Sequence, residues 1–346
     1  MIGKTNAIAV SGGGVELKIV VSVTSGALVT ATKGPLSVQG TSVNGTATLT
    51  VPEAGTWSVS ATLNEETTNT VIINVTESFP AELLFIDPIL NNNSWETIRK
   101  VSDLGIASNY WSVGDRKAVV LNGSVGSSAE FNKVTAYAYI IGFDHNANKE
   151  GGDRIHFQLG FSSLSGGSNV CYVDSYYNSY TSIYTLFNIN NSNTNVGGWN
   201  ASRMRTDVFG QDKESLTNTL MGAIPADLRT ALKSVTKYTN NVGKDKTEAA
   251  VTATTDYFFL LSEHELFGSI ANANTYEGSY QEQYAYYSAG NTKVKRKHTA
   301  TSETAIYWLR SAAVSGDTMF VICNTSGNVS YNGARTSLGI APGFCV

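Results

Sequence analysis

The strongest constraint on the fold comes from short segments rich in β-branched residues, which recur through the first 75 residues. Six segments rich in Val, Ile and Thr are separated by turns that contain Gly, Asn or Pro. They span residues 16–23, 28–32, 36–39, 46–51, 55–63 and 68–75. Such segments are typical of strands, because a β-branched side chain packs well on a pleated surface. The sequence therefore predicts a small β-sandwich.

Trp57 lies in the best-defined pair of these strands. Apolar and polar side chains alternate through residues 45–51 and again through 57–63, on either side of a Pro-Glu-Ala-Gly turn. In a strand, every second side chain points to the same face of the sheet. Trp57 has the same phase as Val59 and Ala61, so it is predicted to anchor the core of the sandwich.

A second domain begins where this alternation stops. After about residue 77 the strand pattern ends, and residues 94–105 show a helical pattern with Ser94 as N-cap and Gly105 at the C-terminus. We therefore predict a first domain at residues 1–78, a linker at residues 79–93 and a second domain at residues 94–346.

The second domain mixes strand and helix patterns. Strands are predicted at residues 118–121, 134–143, 155–159, 257–261, 306–309, 319–323 and 339–346. A helical pattern at residues 215–235 contains Pro225, which lacks an amide proton and is predicted to split it into two helices. The expected fold class is an N-terminal all-β sandwich followed by a mixed α+β domain.

Charge and hydropathy exclude several classes of partner. The formal net charge is −4 and only 15% of the residues are charged, whereas nucleic acids and anionic lipids need clustered Lys and Arg. The basic run at residues 293–298 is predicted to be a solvated loop. No apolar run is long enough to cross a membrane and no signal peptide is recognised, so we expect synthesis in a cytoplasm without membrane insertion.

The sequence offers little catalytic chemistry. Cys171, Cys323 and Cys345 lack the spacing of a zinc site, and His264-Glu265 lacks the second histidine of a zinc-protease helix. No catalytic residue, metal or cofactor is predicted, and the chain is expected not to be an enzyme. A glycan hydrolase remains the alternative, because its two carboxylates could come from a set of nearby acidic residues. These are Glu263, Glu265, Glu277 and Glu282.

Two segments dense in Tyr, Ser, Gly and Asn are the predicted ligand-binding sites. A tyrosine ring gives a large contact area at low entropic cost, and this residue mixture is typical of adaptable binding loops. The predicted ligand-binding residues are Tyr172, Tyr176, Tyr177, Tyr180, Tyr184, Tyr276 and Tyr280. The alternative is that these rings only pack a large irregular loop region.

Six motifs of the second domain resemble, in order, the DUF6273 family found in Firmicutes and their prophages. They include a Gly-Trp pair, a Trp-Leu-Arg-Ser segment and a terminal block with Pro342. The motifs span residues 110–115, 195–205, 224–228, 259–268, 307–311 and 339–346. The terminal block is similar to that of the formylglycine-enzyme branch of C-type-lectin-like folds, although Ala341 stands where arginine is usual. The resemblance implies a C-type-lectin-like second domain.

The tryptophan, arginine and proline residues of these motifs, together with Trp57 of the first domain, are expected to build the scaffold. Tryptophans suit hydrophobic anchoring, and arginines suit internal bonds to carboxylates or carbonyls. The predicted structural residues are Trp57, Trp199, Arg205, Trp308, Arg310 and Pro342. Recognition is expected on the loops that such a scaffold presents.

A resemblance of the first domain implies that the protein is part of a virus particle. Residues 30–34 and 52–63 resemble an immunoglobulin-like or transthyretin-like module of phage structural proteins. We therefore expect a homo-oligomeric virion protein at a phage tail tip or fibre. Its first domain would bind other virion proteins, and its second would bind a host-surface carbohydrate or protein. The alternative is a capsid or tail decoration protein with no essential ligand.

Overall fold

The computed structural model divides the chain into two compact units, Met1–Pro88 and Ile89–Val346. The division lies within the segment 79–93 that the sequence predicts as a linker. The structure describes residues 7–12, 16–68, 70–75, 86–126, 129–180, 187–210 and 212–346.

The first unit is all-β in its described residues, which confirms the all-β class predicted for it. One sheet has the order β1-β2-β5, and the other has the order β4-β3-β6-β7 with β8 also paired to β6. The strands are β1 (Ala7–Gly12), β2 (Glu16–Ser22), β3 (Leu28–Lys33), β4 (Leu36–Thr41), β5 (Thr46–Val51), β6 (Gly55–Leu63), β7 (Glu66–Thr67) and β8 (Val71–Val75).

Trp57 occupies the core of this unit. Burial alternates along β5 and β6, which places Leu49, Val51, Trp57 and Val59 inside. The ring of Trp57 is completely buried, and its indole Nε1 donates a 3.2 Å hydrogen bond to the carbonyl of Glu53. The bond satisfies the polar edge of a side chain that otherwise fills apolar space.

The second unit contains both strands and short helices, as predicted. Its strands are β9 (Arg116–Val125), β10 (Ala129–Phe143), β11 (Ile155–Phe161), β12 (Val170–Cys171), β13 (Val235–Asn240), β14 (Val251–Asp256), β15 (Phe258–Phe259), β16 (Lys295–Lys297), β17 (Ala300–Ala305), β18 (Tyr307–Ala312), β19 (Met319–Cys323), β20 (Val329–Gly333) and β21 (Gly343–Cys345). Its α-helices are α1 (Trp95–Asp103), α2 (Ala147–Glu150), α3 (Leu220–Ala223), α4 (Ala226–Ala231), α5 (Glu263–Phe267) and α6 (Ala285–Ser288). Single 3₁₀ turns span Leu90–Asn92, Ala107–Asn109, Glu248–Ala250 and Thr275–Ser279, and a π-helical turn spans Met204–Phe209.

The helix boundaries follow local signals. The side chain of Ser94 accepts a hydrogen bond from the amide of Thr97 and so caps α1. Pro225 separates α3 from α4, but the two helices are shorter than the 215–235 pattern predicts, because Val235 begins β13.

A five-stranded antiparallel sheet with the order β15-β21-β11-β10-β9 forms the centre of the second unit. All seven residues of β11 are buried, so both faces of the sheet are covered. On one face, the Trp95 ring of α1 packs edge-on against Phe157 and Phe344 at centroid distances of 5.5 and 6.0 Å. The opposite face carries His156 and Gln158, which leads to the polar interior described below.

The remaining strands of this unit form three smaller sheets. β12 pairs in parallel with β16, which pairs with β17, while β13 and β14 form a two-stranded sheet. β18, β19 and β20 form an antiparallel meander. Among the described residues, no helix combines the length and apolar character needed to span a membrane.

Candidate functional site

Asp174 fixes the turn that carries three of the predicted tyrosines, residues 174–180, which we call the tyrosine turn. Its Oδ1 accepts a 2.8 Å hydrogen bond from the amide of Tyr176. Its Oδ2 accepts bonds of 2.6 Å from the amide of Phe187 and 2.7 Å from the hydroxyl of Ser337. The backbone of Ser337 also bonds to residues 178 and 179. The turn is thus attached to the segment that follows β20.

The tyrosines of this turn differ in exposure. Tyr176 and Tyr180 are 41% and 58% exposed. Tyr177 is half-buried, because its hydroxyl accepts a 2.8 Å bond from the amide of Ile306 and its ring lies 4.7 Å from the Lys297 Nζ. Tyr176 and Tyr180 can therefore contact a ligand directly, while Tyr177 holds the turn in place.

The Tyr180 ring lies against the end of β20. The guanidinium carbon of Arg335 is 4.4 Å from the ring centroid. A Cβ atom at Gly333 would lie 3.6 Å from the ring and 2.8 Å from Asn193 Oδ1, so glycine leaves room for both groups. Tyr331, 44% exposed, precedes Gly333 by two residues in β20 and points to the same face. We call these five residues, Tyr180, Asn193, Tyr331, Gly333 and Arg335, the tyrosine face.

The second predicted tyrosine cluster has its own contacts. Tyr280 stacks on Tyr238 at 5.1 Å, donates a 2.9 Å hydrogen bond to Glu248, and has the Lys149 Nζ 5.0 Å from its ring centroid. Tyr276 is 43% exposed. No contact partner is shared with the tyrosine turn among these interactions, so the structure does not join the two predicted clusters into one site.

Tyr172 and Tyr184 complete the predicted set. Tyr172 is only 2% exposed, and its ring packs 5.9 Å from Phe131 and 5.2 Å from His298. It lies in the interior, so we do not propose it as a ligand contact. Tyr184 lies outside the described residues.

The predicted scaffold residues of the second unit make internal polar contacts. The Trp199 Nε1 donates 3.1 Å to Asp256 Oδ2, and the Arg205 Nε donates 2.5 Å to the other oxygen of that carboxylate. The Trp308 Nε1 donates 2.9 Å to the carbonyl of Phe187, next to the tyrosine turn.

Pro342 begins the approach to β21. Its carbonyl accepts a 2.9 Å bond from the amide of Leu159, and the carbonyl of Ala341 accepts a 3.0 Å bond from Gln158 Nε2. These bonds attach the terminal block to β11.

A buried charge cluster lies on the polar side of the central sheet. Arg310 on β18 bonds both oxygens of Glu265, its Nη2 lying 2.8 Å from Oε1, and its Nε donates 2.8 Å to the Thr239 hydroxyl. Lys237 on β13 bonds Glu150 at 2.6 Å and Glu265 at 3.0 Å. Each of these four charged side chains is at most 2% exposed. Because two cations face two carboxylates, the charges are mutually compensated.

The cluster shifts the pKa values of its members in opposite directions. Burial raises the pKa of Glu150 to about 7, although Lys237 opposes the shift. Burial alone would raise the pKa of Glu265 as well, but Arg310 and Lys237 hold it well below its ordinary value. His145 adjoins the cluster, with its Nε2 4.0 Å from Glu150 Oε1. Burial and Lys237 together lower the pKa of His145 to about 3, which keeps that imidazole neutral.

Three residues of this cluster, His145, Glu150 and Glu265, could in principle hold a metal ion. Their ligand atoms lie within 4.8 Å of one another, and the His145 Nε2 has no hydrogen-bond partner among the described residues. However, the ammonium of Lys237 already bonds both carboxylates. A metal ion would have to displace that ammonium, so we assign the cluster a structural role.

The sequence analysis expected an internal carboxylate or carbonyl partner for Arg310 but did not identify the cluster, for which one weak signal exists. Lys237 stands between Val235 and Thr239 in the buried phase of β13, where a lysine is unusual. Ser262 and Glu265 form a capping box at the start of α5, a pattern that explains Glu265 without reference to Arg310.

The acidic residues considered for glycan hydrolysis are mostly internal. Glu263 and Glu277 are buried like Glu265, and Glu282 is exposed. The carboxylate of Glu263 accepts bonds from the amides of residues 271–273. Glu277 accepts a 2.9 Å bond from the amide of Asn240. Both carboxylates therefore support backbone segments.

The prediction that residues 293–298 form a solvated loop is wrong for Lys295 and its neighbours. Residues 295–297 form β16, and Lys295 is completely buried. Its Nζ bonds Asn169 Oδ1 at 2.6 Å and the Tyr139 hydroxyl at 3.2 Å. Burial lowers the pKa of Lys295 to about 7.

Replacing Lys295 with Met is expected to change how stability depends on pH. The pKa of Lys295 is lower in the folded than in the unfolded state, so its contribution to stability is lost as pH falls from 10.5 towards 7. The free energy of unfolding of the native protein, relative to Lys295→Met, should rise with pH by up to about 1.4 kcal/mol per unit. Urea unfolding at about pH 7.5, 8.5 and 9.5 measures this difference.

Lys297→Met is the matched control, since Lys297 is partly exposed and pairs with Glu303 at 2.6 Å. Its stability should run parallel to that of the native protein over the same pH range. Parallel curves for Lys295→Met as well would show that Lys295 does not titrate differently in the folded state.

Comparison with known families finds a match over the C-terminal half of the chain. The sequence model of DUF6273, described as a domain of unknown function, matches residues 169–346. The matched residues include the tyrosine turn, the tyrosine face and the Glu265–Arg310 pair. No curated protein matches the chain.

Proposed function

Because the chain belongs to the DUF6273 family, whose function is unknown, we propose a function from the surface that the family domain presents. The protein is a non-enzymatic recognition protein that binds a cell-surface carbohydrate or protein through the tyrosine turn and the tyrosine face. The observation that carries this proposal is the exposure of Tyr176, Tyr180 and Tyr331 on segments held by Asp174 and β20.

Exposed aromatic rings on a fixed support suit saccharide recognition. A ring stacks against the apolar face of a sugar, while neighbouring side-chain amides pair with its hydroxyls. Binding groups on a rigid scaffold also lose little conformational entropy when a ligand binds. On a repeating surface polymer, weak sites of this kind gain strength through multivalency.

The finer fold assignments are part of the same proposal. The second domain is proposed to be C-type-lectin-like, which its antiparallel sheets, short helices and long connections support. The first domain is proposed to be an immunoglobulin-like attachment module, which its two sheets of short strands support. On this basis the protein belongs to the virion of a phage or prophage, at the tail tip or fibre, as a homo-oligomer bound to other virion proteins.

Removing the two exposed rings of the tyrosine turn is expected to weaken binding to host cells. The full chain should bind intact Firmicutes cells and their isolated wall polysaccharide saturably. The double variant Tyr176→Ala, Tyr180→Ala should bind about 10-fold more weakly or worse, because central aromatic contacts dominate the energy of most interfaces. A pull-down titration with both proteins measures the change.

Tyr276→Ala is the matched control, since Tyr276 is 43% exposed but belongs to the second predicted cluster, which is not part of the proposed binding surface. It should bind as the native chain does. Equal binding by the double variant would contradict the assignment of the site. The full chain could also bind no host cell while assembling onto virus particles that lack it. That result would favour a capsid or tail decoration protein over a host-binding protein.

A further inference from the structure

All nine arginines of the chain lie in the described residues, and Arg335 differs from the other eight. Eight donate hydrogen bonds to carboxylate, amide or carbonyl oxygens. These are Arg99, Arg116, Arg154, Arg203, Arg205, Arg229, Arg296 and Arg310. The guanidinium of Arg335 instead lies 4.4 Å from the Tyr180 ring centroid, and no acidic residue is paired with it in the described part of the chain.

Two polar atoms near the Tyr180 ring have no hydrogen-bond partner in the part of the chain that the structure describes. The Nε of Arg335 and the Oδ1 of Asn193 are buried and have no hydrogen-bond partner among the described residues. Buried polar atoms are almost always paired, with protein or with another molecule. A donor and an acceptor thus remain unsatisfied next to two exposed rings, Tyr180 and Tyr331.

We propose that the ligand of the tyrosine face is an acidic saccharide and that Arg335 binds its carboxylate or phosphate group. This inference rests on the proposed function and names its ligand class. The planar guanidinium fork matches both anions, and stacking on Tyr180 holds the fork in place. The partly exposed side-chain amide of Asn193 offers a hydrogen-bonding partner for a sugar hydroxyl, and Tyr331 offers its ring to the apolar face of the sugar.

The charges around the face favour a saccharide over a nucleic acid. Nucleic acids require several lysines or arginines that neutralise successive phosphates. Lys297, whose Nζ lies 4.7 Å from the Tyr177 ring centroid of the tyrosine turn, is already paired with Glu303 at 2.6 Å. The net charge of the chain is −4, and Arg335 is the one cation among the five residues of the tyrosine face, which suits a single acidic group per sugar unit.

The test measures binding of the full chain to four immobilised polymers. Polygalacturonate carries carboxylates, a phosphomannan carries phosphodiesters between its sugars, dextran is neutral, and single-stranded DNA represents nucleic acids. The native chain should bind one or both of the first two more tightly than dextran or DNA, and which of them it prefers identifies the acidic group. Arg335→Gln should reduce that binding about 10-fold or more.

Two further variants separate the role of Arg335 from net charge. Lys100→Gln on α1 removes the same charge and should leave binding unchanged. Arg335→Lys keeps the charge without the fork and should bind at an intermediate level. Raising the salt concentration should weaken binding by the native chain more than by Arg335→Gln. Circular dichroism and thermal unfolding should show that each variant keeps the native fold.

Several outcomes would overturn the inference. Equal binding by Arg335→Gln and the native chain would do so, as would a preference for dextran or DNA. If Arg335→Gln bound cells normally while the Tyr176→Ala, Tyr180→Ala variant did not, the proposed function would stand without an acidic ligand. If the native chain bound neither polymers nor cells, both proposals would fail together.

Discussion

Replacing Arg310 with Met is expected to lower the free energy of unfolding of the second domain by about 3–5 kcal/mol, because it leaves the buried Glu265 carboxylate without its main partner. Arg310 and Glu265 are both 0% exposed and share two hydrogen bonds. Lys237 still pairs with Glu265 in this variant, but it also pairs with Glu150. Urea unfolding, with hydrogen exchange of β18 amides to assign the transition to this domain, measures the loss.

Two control variants test the cause. In the double variant Arg310→Met, Glu265→Gln, the uncompensated charge is gone, so a large part of the lost stability should return. Arg296→Met removes an arginine that makes one exposed bond to a carbonyl, and it should cost less than about 1 kcal/mol. A loss below about 1 kcal/mol for Arg310→Met would show that the cluster is not a determinant of stability.

Replacing Trp57 with Ala is expected to leave the first domain largely unfolded at 37 °C. Trp57 is completely buried, and truncation of such a side chain costs about 3–5 kcal/mol through lost burial and the cavity left behind. A domain of this size has a total stability of the same order. Its melting temperature should therefore fall by about 15 °C or more. Calorimetry and hydrogen exchange of β6 amides measure the effect.

Trp57→Phe is the control for aromatic packing in the same core. It keeps a ring in place but loses the bond from the indole Nε1 to Glu53, so its cost should be clearly smaller. Retention of slow β6 exchange in Trp57→Ala would contradict the assignment of Trp57 as the anchor of this core.

The elements that local pattern controls were predictable from the sequence. Alternation of apolar residues predicted β5 and β6 with the correct bounds, and it placed Trp57 inside. The Ser94 cap predicted the start of α1. These features depend on neighbours within a few residues, so a single sequence contains the necessary information.

The features that depend on distant neighbours were not predictable in the same way. Lysine is usually exposed, so the burial of Lys237 and Lys295 is not expected from the sequence. The polar groups that bond them in the interior come from residues far away in the sequence, such as Glu150 and Asn169. The burial of Tyr172 had a local signal that was missed, since it lies in the apolar run at residues 170–173, all of which are buried. Arg335 has no sequence signal, because only the fold places it against Tyr180.

The position of β21 between β11 and β15 has a consequence for how the second domain folds. Gln158 and Ala341, which bond beside this junction, are 183 residues apart in the sequence. Pairing across so long a separation carries a large entropic cost before any contact compensates for it, so folding should be slow. Until β21 arrives, one edge of β11 lacks its partner strand. An unpaired apolar edge is prone to associate with other chains, so the yield of native protein should fall as its concentration during refolding rises.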